Sequence, residues 1–470
     1  MSRKKELLKN TIIIFIGKIS TQFLSFLLLP LYTSYLSASN YGYVDLIITY
    51  VSLFVPIITL EQEMATFRFL VDSRNDELKT KKIISSAVLS SSSIIFIFTI
   101  ICLAILPFLD IKYKYLIVMN VIIISFSNIF LQAARGLGKN IEYSIACFII
   151  GLITVISNIV LIVFLKYDAA GMIISTIIAN IFGIAYLFIK LKLFKYITIS
   201  SVDKETIKNM TKYSLPLIPN SICWWLINVS DRTLITIFLG TAANGIYSIA
   251  CKFPSILNSF FSIFSLSWTE SASIHINDKD NNVFFSDIIN NAIKIFTYIS
   301  VLLISFLPII FSIIIKKEYV NSYNYIPILI LGSFFSCIVG IYSAIYIAKK
   351  DTKKVAITSF LAATINVIVN YLFIKKIKLY AAALSTCIAY FAMMVYRGID
   401  IKKTIKIDYN KKTITETIIL FIITLTVYYK CNKILIAIYI FLLLIYIINF
   451  NYKTIKIMYE NIKGKIKHEK

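Results

Sequence analysis

Histidine is nearly missing from this chain of 470 residues, which holds only His275 and His468. Both stand in polar, charged stretches, so no histidine-based metal cluster is expected. Cysteine occurs seven times, at Cys102, Cys147, Cys223, Cys251, Cys337, Cys387 and Cys431, but never as a CxxC pair. All except Cys431 fall inside apolar runs, which argues against a disulfide framework or zinc site and leaves small packing residues. Charge is scarce too: 15% of residues are Asp, Glu, Lys or Arg, against about 25% in a soluble domain. Glycine-rich phosphate loops do not occur. Gly136-Leu137-Gly138-Lys139 reads as a turn between helices, and without a Walker or GxGxxG spacing ATP is not the expected direct energy source. No cofactor is expected.

What fills the chain is apolar, with 58% hydrophobic residues and a mean hydropathy of +0.81. A soluble enzyme or DNA-binding protein of this composition would expose large apolar patches. The apolar runs stay unbroken over about 18 residues or more, whereas barrel strands would alternate apolar and polar positions. The expected fold class is therefore an all-α polytopic membrane protein with about fourteen transmembrane helices. Spans begin near Asn10, Tyr41, Ile83, Tyr113, Tyr143 and Ala169. After a lysine-bearing stretch from Lys190 to Lys212, others begin near Tyr213, Ala243, Asp287, Ser322, Lys354, Leu379, Thr413 and Lys433. Helices are expected to kink or break around Pro30, Pro56, Pro216, Pro219, Pro254, Pro308 and Pro327. The opening MSRKKELLKN has the charge order of a signal sequence, but the run after it is too long and lacks a small-residue cleavage site. It reads as an uncleaved first span.

The net charge of +24, from 48 Lys and Arg against 24 Asp and Glu, would point to nucleic acid in a soluble protein. Here most lysines sit between apolar runs, where they set topology and not a nucleic-acid surface. With the N-terminus cytoplasmic, inside segments hold 33 basic residues, outside loops 10, and five lie within spans. That excess predicts both termini on the cytoplasmic side. Outside loops are short, such as LSASN and GTAAN, leaving no room for the external domain of a membrane glycosyltransferase or polymerase. The chain does not read as an enzyme; it reads as a secondary transporter or flippase.

A weak internal repeat runs through the sequence. Leu36-Ser37-Ala38-Ser39-Asn40-Tyr41-Gly42-Tyr43 matches Leu239-Gly240-Thr241-Ala242-Ala243-Asn244-Gly245-Ile246, at an offset of 203. Gly138-Lys139-Asn140 through Asn158 to Ala169-Ala170-Gly171 matches Lys350-Asp351-Thr352 through Asn370 to Ala381-Ala382-Ala383, at an offset of 212. An even span count per half predicts parallel repeats about an axis along the membrane normal. The expected organisation is an N-terminal six-helix lobe over 1–190, a cytoplasmic linker over 191–212, a second six-helix lobe over 213–400, and two further helices with a basic tail over 401–470.

The early segment holds PLYTSYLS at Pro30–Ser37, Tyr41-Gly42, Asp45, a glutamate-bearing stretch, and Phe67-Arg68-Phe69. In this it resembles the opening of bacterial polysaccharide-biosynthesis flippases, the oligosaccharide flippase or Wzx-type family. That family lies in the MOP superfamily, beside the MATE multidrug exporters and the lipid II flippase. The likeness is densest over the first seventy residues and looser across spans 1–12. It implies a bacterial cytoplasmic-membrane protein with two six-helix lobes that alternate access. The implied cargo is undecaprenyl-pyrophosphate-linked oligosaccharide for capsule, O-antigen or exopolysaccharide assembly. Implied partners are that lipid-linked oligosaccharide, membrane lipids, polysaccharide polymerase or assembly proteins, and a coupling proton or sodium; nucleic acid is not among them.

Ionisable side chains within a span are costly unless they face a cavity or a partner. Ten such positions occur: Lys18, Asp45, Glu61, Glu63, Arg68, Asp231, Arg232, Lys252, Glu270 and Lys294. Asp45, Arg68, Glu270 and Lys294 lie near interfaces or reach them by snorkelling. Arg232 and Lys252 sit at one depth on neighbouring antiparallel spans, and with Lys18 they form the candidate site for a pyrophosphate headgroup. The competing reading of Arg232 is a structural pair with Asp231 or another acid. Glu61 and Glu63 are candidates for a coupling ion, since like charges ease protonation of one, and local pairing with lysines stands beside that. Glu61 and Arg68, seven residues apart, are a candidate inner latch, and Asp231 joins the coupling or gate group. Trp224, Trp225, Asn228 and Gln22 are candidate glycan-lining residues, as is Trp268, with plain packing as the alternative. Rival functions are a lipid II-type flippase, a cation-coupled multidrug exporter and a non-transporting scaffold.

Overall fold

The computed structural model describes residues 24, 26–74, 76–349, 351–403 and 405–449. Among them every regular element is helical. In chain order these are α1 (Leu29–Tyr35), α2 (Ala38–Ile58), α3 (Gln62–Ser73), α4 (Glu77–Ile105), α5 (Lys114–Gly136), α6 (Asn140–Asn158), α7 (Ala170–Leu191) and α8 (Lys204–Ser214). They continue as α9 (Ile218–Leu239), α10 (Thr241–His275), α11 (Asn281–Ile314), α12 (Ile326–Ala348), α13 (Thr352–Ile377), α14 (Leu379–Lys402), α15 (Lys411–Lys430) and a shorter apolar α16 (Lys433–Asn449).

Eleven of these helices are long and apolar enough to cross a membrane: α2, α4 to α7 and α10 to α15. α9 has 22 residues and adds a further candidate. The first expected span, from Asn10, begins outside the described residues. Helix starts follow local chemistry. Ser37 accepts the Asn40 N–H at 3.2 Å, Asp76 the Lys79 N–H at 3.0 Å, and Asp203 the Thr206 N–H at 2.9 Å, each holding an otherwise orphaned donor. Pro30, Pro219 and Pro327 occupy first-turn positions, where a missing N–H costs nothing. Pro56, Pro254 and Pro308 lie inside helices instead.

Two expectations need correction. The span expected to begin near Tyr41, with a kink or break around Pro56, ends at Ile58 and is followed by a separate helix, because Leu60 and Glu61 adopt left-handed backbone (φ 51° and 55°) between α2 and α3. The 191–212 stretch is more than a linker. It carries α8, whose Asp203 cap is followed by a face that packs on α3 and α4, with Met210 fully buried.

The chain divides into two compact units. The first comprises residues 1–252, 315–322 and 352–389. In it α6 packs on α7, α5 on α3 and α7, and α9 lies against both α2 and α13. Its core around α3 to α8 includes Ala65, Leu70, Ala87, Phe130, Ala146 and Leu187. Small residues at the crossings let helices approach closely where no water-driven force separates lipid from protein. The second unit comprises 253–314, 323–351 and 390–470. There α11 packs against α12 and α15.

Candidate substrate and coupling site

The charged residues of α9 lie inside the first unit and face two ways. Adjacent helix positions point about 100° apart, and Asp231 and Arg232 use that divergence. Arg232 turns toward α2. Its Nε lies 3.3 Å from Asp45 Oδ2, and its Nη1 donates to Thr49 Oγ1 at 2.7 Å. Asp45 and Thr49 are one turn apart, so one face of α2 serves the whole guanidinium. Seven residues earlier on α9, Trp225 donates its indole N–H to the Thr49 carbonyl at 2.9 Å, and its ring lies 5.5 Å from that of Tyr50. Tyr50 in turn shares a 3.1 Å hydroxyl contact with Thr233. Asp45 is thus the acid that neutralises Arg232, and its position near a loop hid that role in the sequence.

Asp231 turns instead toward α13 and α14. Its carboxylate accepts from Asn370 Nδ2 at 2.8 Å, Thr386 Oγ1 at 2.6 Å and the Tyr247 hydroxyl at 3.0 Å. The neighbouring Ser230 donates to Asn366 Oδ1 at 3.1 Å, and Asn366 Nδ2 reaches Thr386 at 3.0 Å. All these donors are neutral, so the carboxylate is held by dipoles and not by a cation. Asn370 Oδ1 is buried without a hydrogen-bond partner. The Asp231 carboxylate and this amide oxygen are thus buried acceptors of the cluster.

Lys252 on α10 is half-buried and lies within electrostatic reach of both Asp45 and Arg232. The structure therefore gathers Arg232, Lys252 and Asp45, with Asp231 close by on the other face of α9. Counted as ions, two cations and two carboxylates balance.

Glu61 and Glu63 are both buried at the α2–α3 break. Glu61 accepts from the Ser221 hydroxyl, and Glu63 Oε2 has no hydrogen-bond partner. Arg68 does not latch onto Glu61. It pairs with Asp72 at 2.6 Å on an exposed surface, whereas Glu61, the N-cap residue of the same helix, is buried, so the two side chains lie in different surroundings. Trp268 belongs to the second unit, where it is buried at 3% exposure, donates to the Ile341 carbonyl at 3.0 Å and stacks on Phe264. That is packing, and it leaves no face for a sugar. Lys18 and Gln22 lie outside the described residues, as do the side chains of Trp224 and Asn228.

Sequence reading missed Thr49, Tyr247, Asn366, Asn370 and Thr386 as members of the cluster. One signal existed: Asn370 is the repeat-equivalent of Asn158. Each asparagine is bonded to a residue near the start of its own half, Asn158 accepting from Tyr32 at 3.2 Å and Asn370 donating to Asp231.

Residues 7–269 match the family of polysaccharide biosynthesis proteins. The chain belongs to that family. Its fold is shared by solved structures of low sequence identity. One is the lipid II flippase MurJ in an inward closed conformation, 20% identical, covering 94% of this chain and 100% of that one with a TM-score of 0.70. An inward-facing multidrug resistance MATE family transporter of the MOP superfamily is 12% identical over 83% of this chain and 98% of that one, with a TM-score of 0.67. A MOP superfamily transporter from Pyrococcus furiosus, described by a binding pocket of reverse polarity, is 14% identical over 85% and 96%, with a TM-score of 0.58. No curated protein matches by sequence. This member of the polysaccharide biosynthesis family is a multi-pass membrane protein with the MATE and MurJ fold.

Proposed function

We propose that the protein is a flippase that carries undecaprenyl-pyrophosphate-linked oligosaccharide repeat units from the inner to the outer leaflet of a bacterial cytoplasmic membrane. Both termini are cytoplasmic in this reading, and two parallel six-helix lobes alternate access. The observation that carries it is that Asp45 pairs with the half-buried Arg232 at 3.3 Å while the half-buried Lys252 lies within electrostatic reach of the same carboxylate. Asp45 holds the Arg232 guanidinium while the site is empty. A diphosphate displaces it, because the fork of Arg232 and the ammonium of Lys252 together match two or more negative charges better than one carboxylate does. Lys18 offers a further cation to the same headgroup, and Trp224, Trp225, Asn228 and Gln22 line the path of the glycan.

Coupling falls to Asp231. With a proton or sodium ion on its carboxylate, the four-charge cluster gains a positive excess, which an arriving pyrophosphate neutralises. Cation and substrate then favour each other's binding through one electrostatic balance. Glu61 and Glu63 form a second, separate candidate for the same ion, and Arg68 with Asp72 marks the exposed end of α3.

The test is leaflet protection in liposomes that contain a fluorescent undecaprenyl-pyrophosphate glycan, read by access of an impermeant glycosidase. Wild type exposes the inner pool, and Lys252→Gln slows exposure with the fold intact. Wild-type exposure no greater than protein-free liposomes would discard the flippase reading. Equal rates for wild type and Lys252→Gln would discard the site.

A further inference from the structure

The second unit contains a membrane-depth groove that the proposed transport site does not use. α11, α12, α14 and α15 enclose a cavity of about 520 Å³, inside the roughly 300–1,000 Å³ range of pockets that envelop a small apolar ligand. Its wall is almost wholly hydrocarbon, with Phe334, Phe335 and Phe391 at the back. Its rim residues Ile399 on α14 and Ile418 and Ile422 on α15 are 53–60% exposed, so the groove opens sideways where lipid lies.

One end of the groove is polar and rigidly built. The Tyr342 and Tyr409 hydroxyls meet at 2.9 Å, and Lys402 Nζ sits 4.8 Å over the Tyr409 ring. Tyr409 also lines a second cavity of about 580 Å³, together with Lys406, Lys411, Asp287 and Asp408. The connection that carries these groups is pinned to α11 by three side chains spaced one helical turn apart. Asn282 accepts the Lys406 N–H at 2.9 Å, Ser286 the Asp408 N–H at 2.9 Å, and Asn290 the Asn410 N–H at 3.0 Å. A chain held at alternate residues in this way fixes the mouth before any ligand arrives. Lys402, Lys406 and Lys411 outnumber the two carboxylates there.

We propose that this paired cavity binds one anionic bilayer phospholipid, an acyl chain in the groove walled by Phe334, Phe335 and Phe391 and the phosphate among Lys402, Lys406 and Lys411. The tyrosine pair marks the boundary between tail and headgroup, where amphipathic rings are favoured. The occupant is a bilayer lipid and not the transported polyprenyl lipid, because the groove opens directly to the bilayer, its cavity is only about 520 Å³, and neither Arg232 nor Lys252 lines it.

Native mass spectrometry of the purified full-length protein with dioleoyl phosphatidylglycerol or dioleoyl phosphatidylcholine tests this. One phosphatidylglycerol is retained in preference to phosphatidylcholine. Retention drops roughly tenfold or more in Lys402→Gln/Lys406→Gln/Lys411→Gln, and Ile418→Trp, which fills the groove from its rim, abolishes it. Equal retention of the two lipids by wild type overturns the proposal whatever the variants do. Unchanged phosphatidylglycerol retention in a triple variant with a wild-type melting temperature also overturns it. Displacement of phosphatidylglycerol by equimolar undecaprenyl phosphate would assign the groove to the substrate and sink the bilayer-lipid reading.

Discussion

Gly42 and Gly245, equivalent positions of the internal repeat, meet backbone to backbone. A Cβ built on Gly42 would lie 2.0 Å from the Thr241 carbonyl oxygen and 2.5 Å from the Gly245 nitrogen, and one on Gly245 would lie 2.1 Å from the Ala38 oxygen. Asn244 donates to the Gly42 carbonyl at 2.8 Å, and Ser39 meets Thr241 at 2.8 Å. The two matched loops are thus in direct contact, and only hydrogen side chains fit between them.

Gly42→Ala is therefore expected to lower the melting temperature in detergent, with a cost of about 1–3 kcal/mol from overpacking against immovable backbone. Gly240 supplies the control. Its backbone (φ 87°, ψ 170°) lies in a region essentially confined to glycine, but nothing lies within 4 Å of an added Cβ, so Gly240→Ala meets a backbone penalty of about 1–3 kcal/mol and no collision. A Gly42→Ala variant that melts with wild type would refute the close crossing.

The Arg232–Asp45 pair gives a second prediction. Removing one partner from a buried pair strands the other charge, at about 3–5 kcal/mol. Asp45→Asn and Arg232→Gln should each depress the melting temperature sharply, while the double variant recovers much of the loss. In the leaflet assay the double variant stays inactive if Arg232 binds pyrophosphate. Restored transport in the double variant would reduce Arg232 to a structural role.

Asp231→Asn separates structure from coupling. The amide keeps an acceptor for Thr386 and Tyr247 and removes the charge, so the fold should survive with a modest change in melting temperature. Stimulation of flipping by an imposed proton or sodium gradient should vanish. Gradient-dependent flipping that persists in Asp231→Asn would move coupling to Glu61 and Glu63.

Asp203, outside the spans at the start of α8, predicts a pH effect. The Thr206 hydroxyl and then its backbone N–H hold the carboxyl below its usual range. Its contribution is present above the ordinary carboxylate value near 4 and is lost as pH falls through the lower folded value. The melting gap between wild type and Asp203→Ala should narrow between neutral pH and about pH 3. A constant gap would remove the ionised cap from the account.

Span positions were legible because lipid demands long unbroken apolar runs, and the runs are explicit in the chain. The two loops of the repeat were paired by their sequence match alone, and the structure adds that their glycines, Gly42 and Gly245, lie in contact. The kinship with polysaccharide flippases rested on the same early segment. Asp45 was misread because depth along a helix does not reveal which neighbour the side chain meets. A break was expected around Pro56, but its position at Leu60–Glu61 was not, because left-handed Leu and Glu carry no glycine to announce them. Asn366, Asn370 and Thr386 are ordinary polar residues of apolar helices, and only folding joins them to Asp231.

That long-range joining bears on biosynthesis. α9 enters the membrane carrying an aspartate and an arginine, each costing about 2.5–3.5 kcal/mol at a helix centre. Asp45 has been made by then, but Asn370 and Thr386 lie 139 and 155 residues downstream of Asp231. At about 5–20 residues per second, Asp231 waits on the order of ten to thirty seconds for those donors. During that interval α9 is an unfinished span whose retention depends on α2, on Tyr247 and on the insertion machinery, which gives membrane quality control a long look at the nascent chain there.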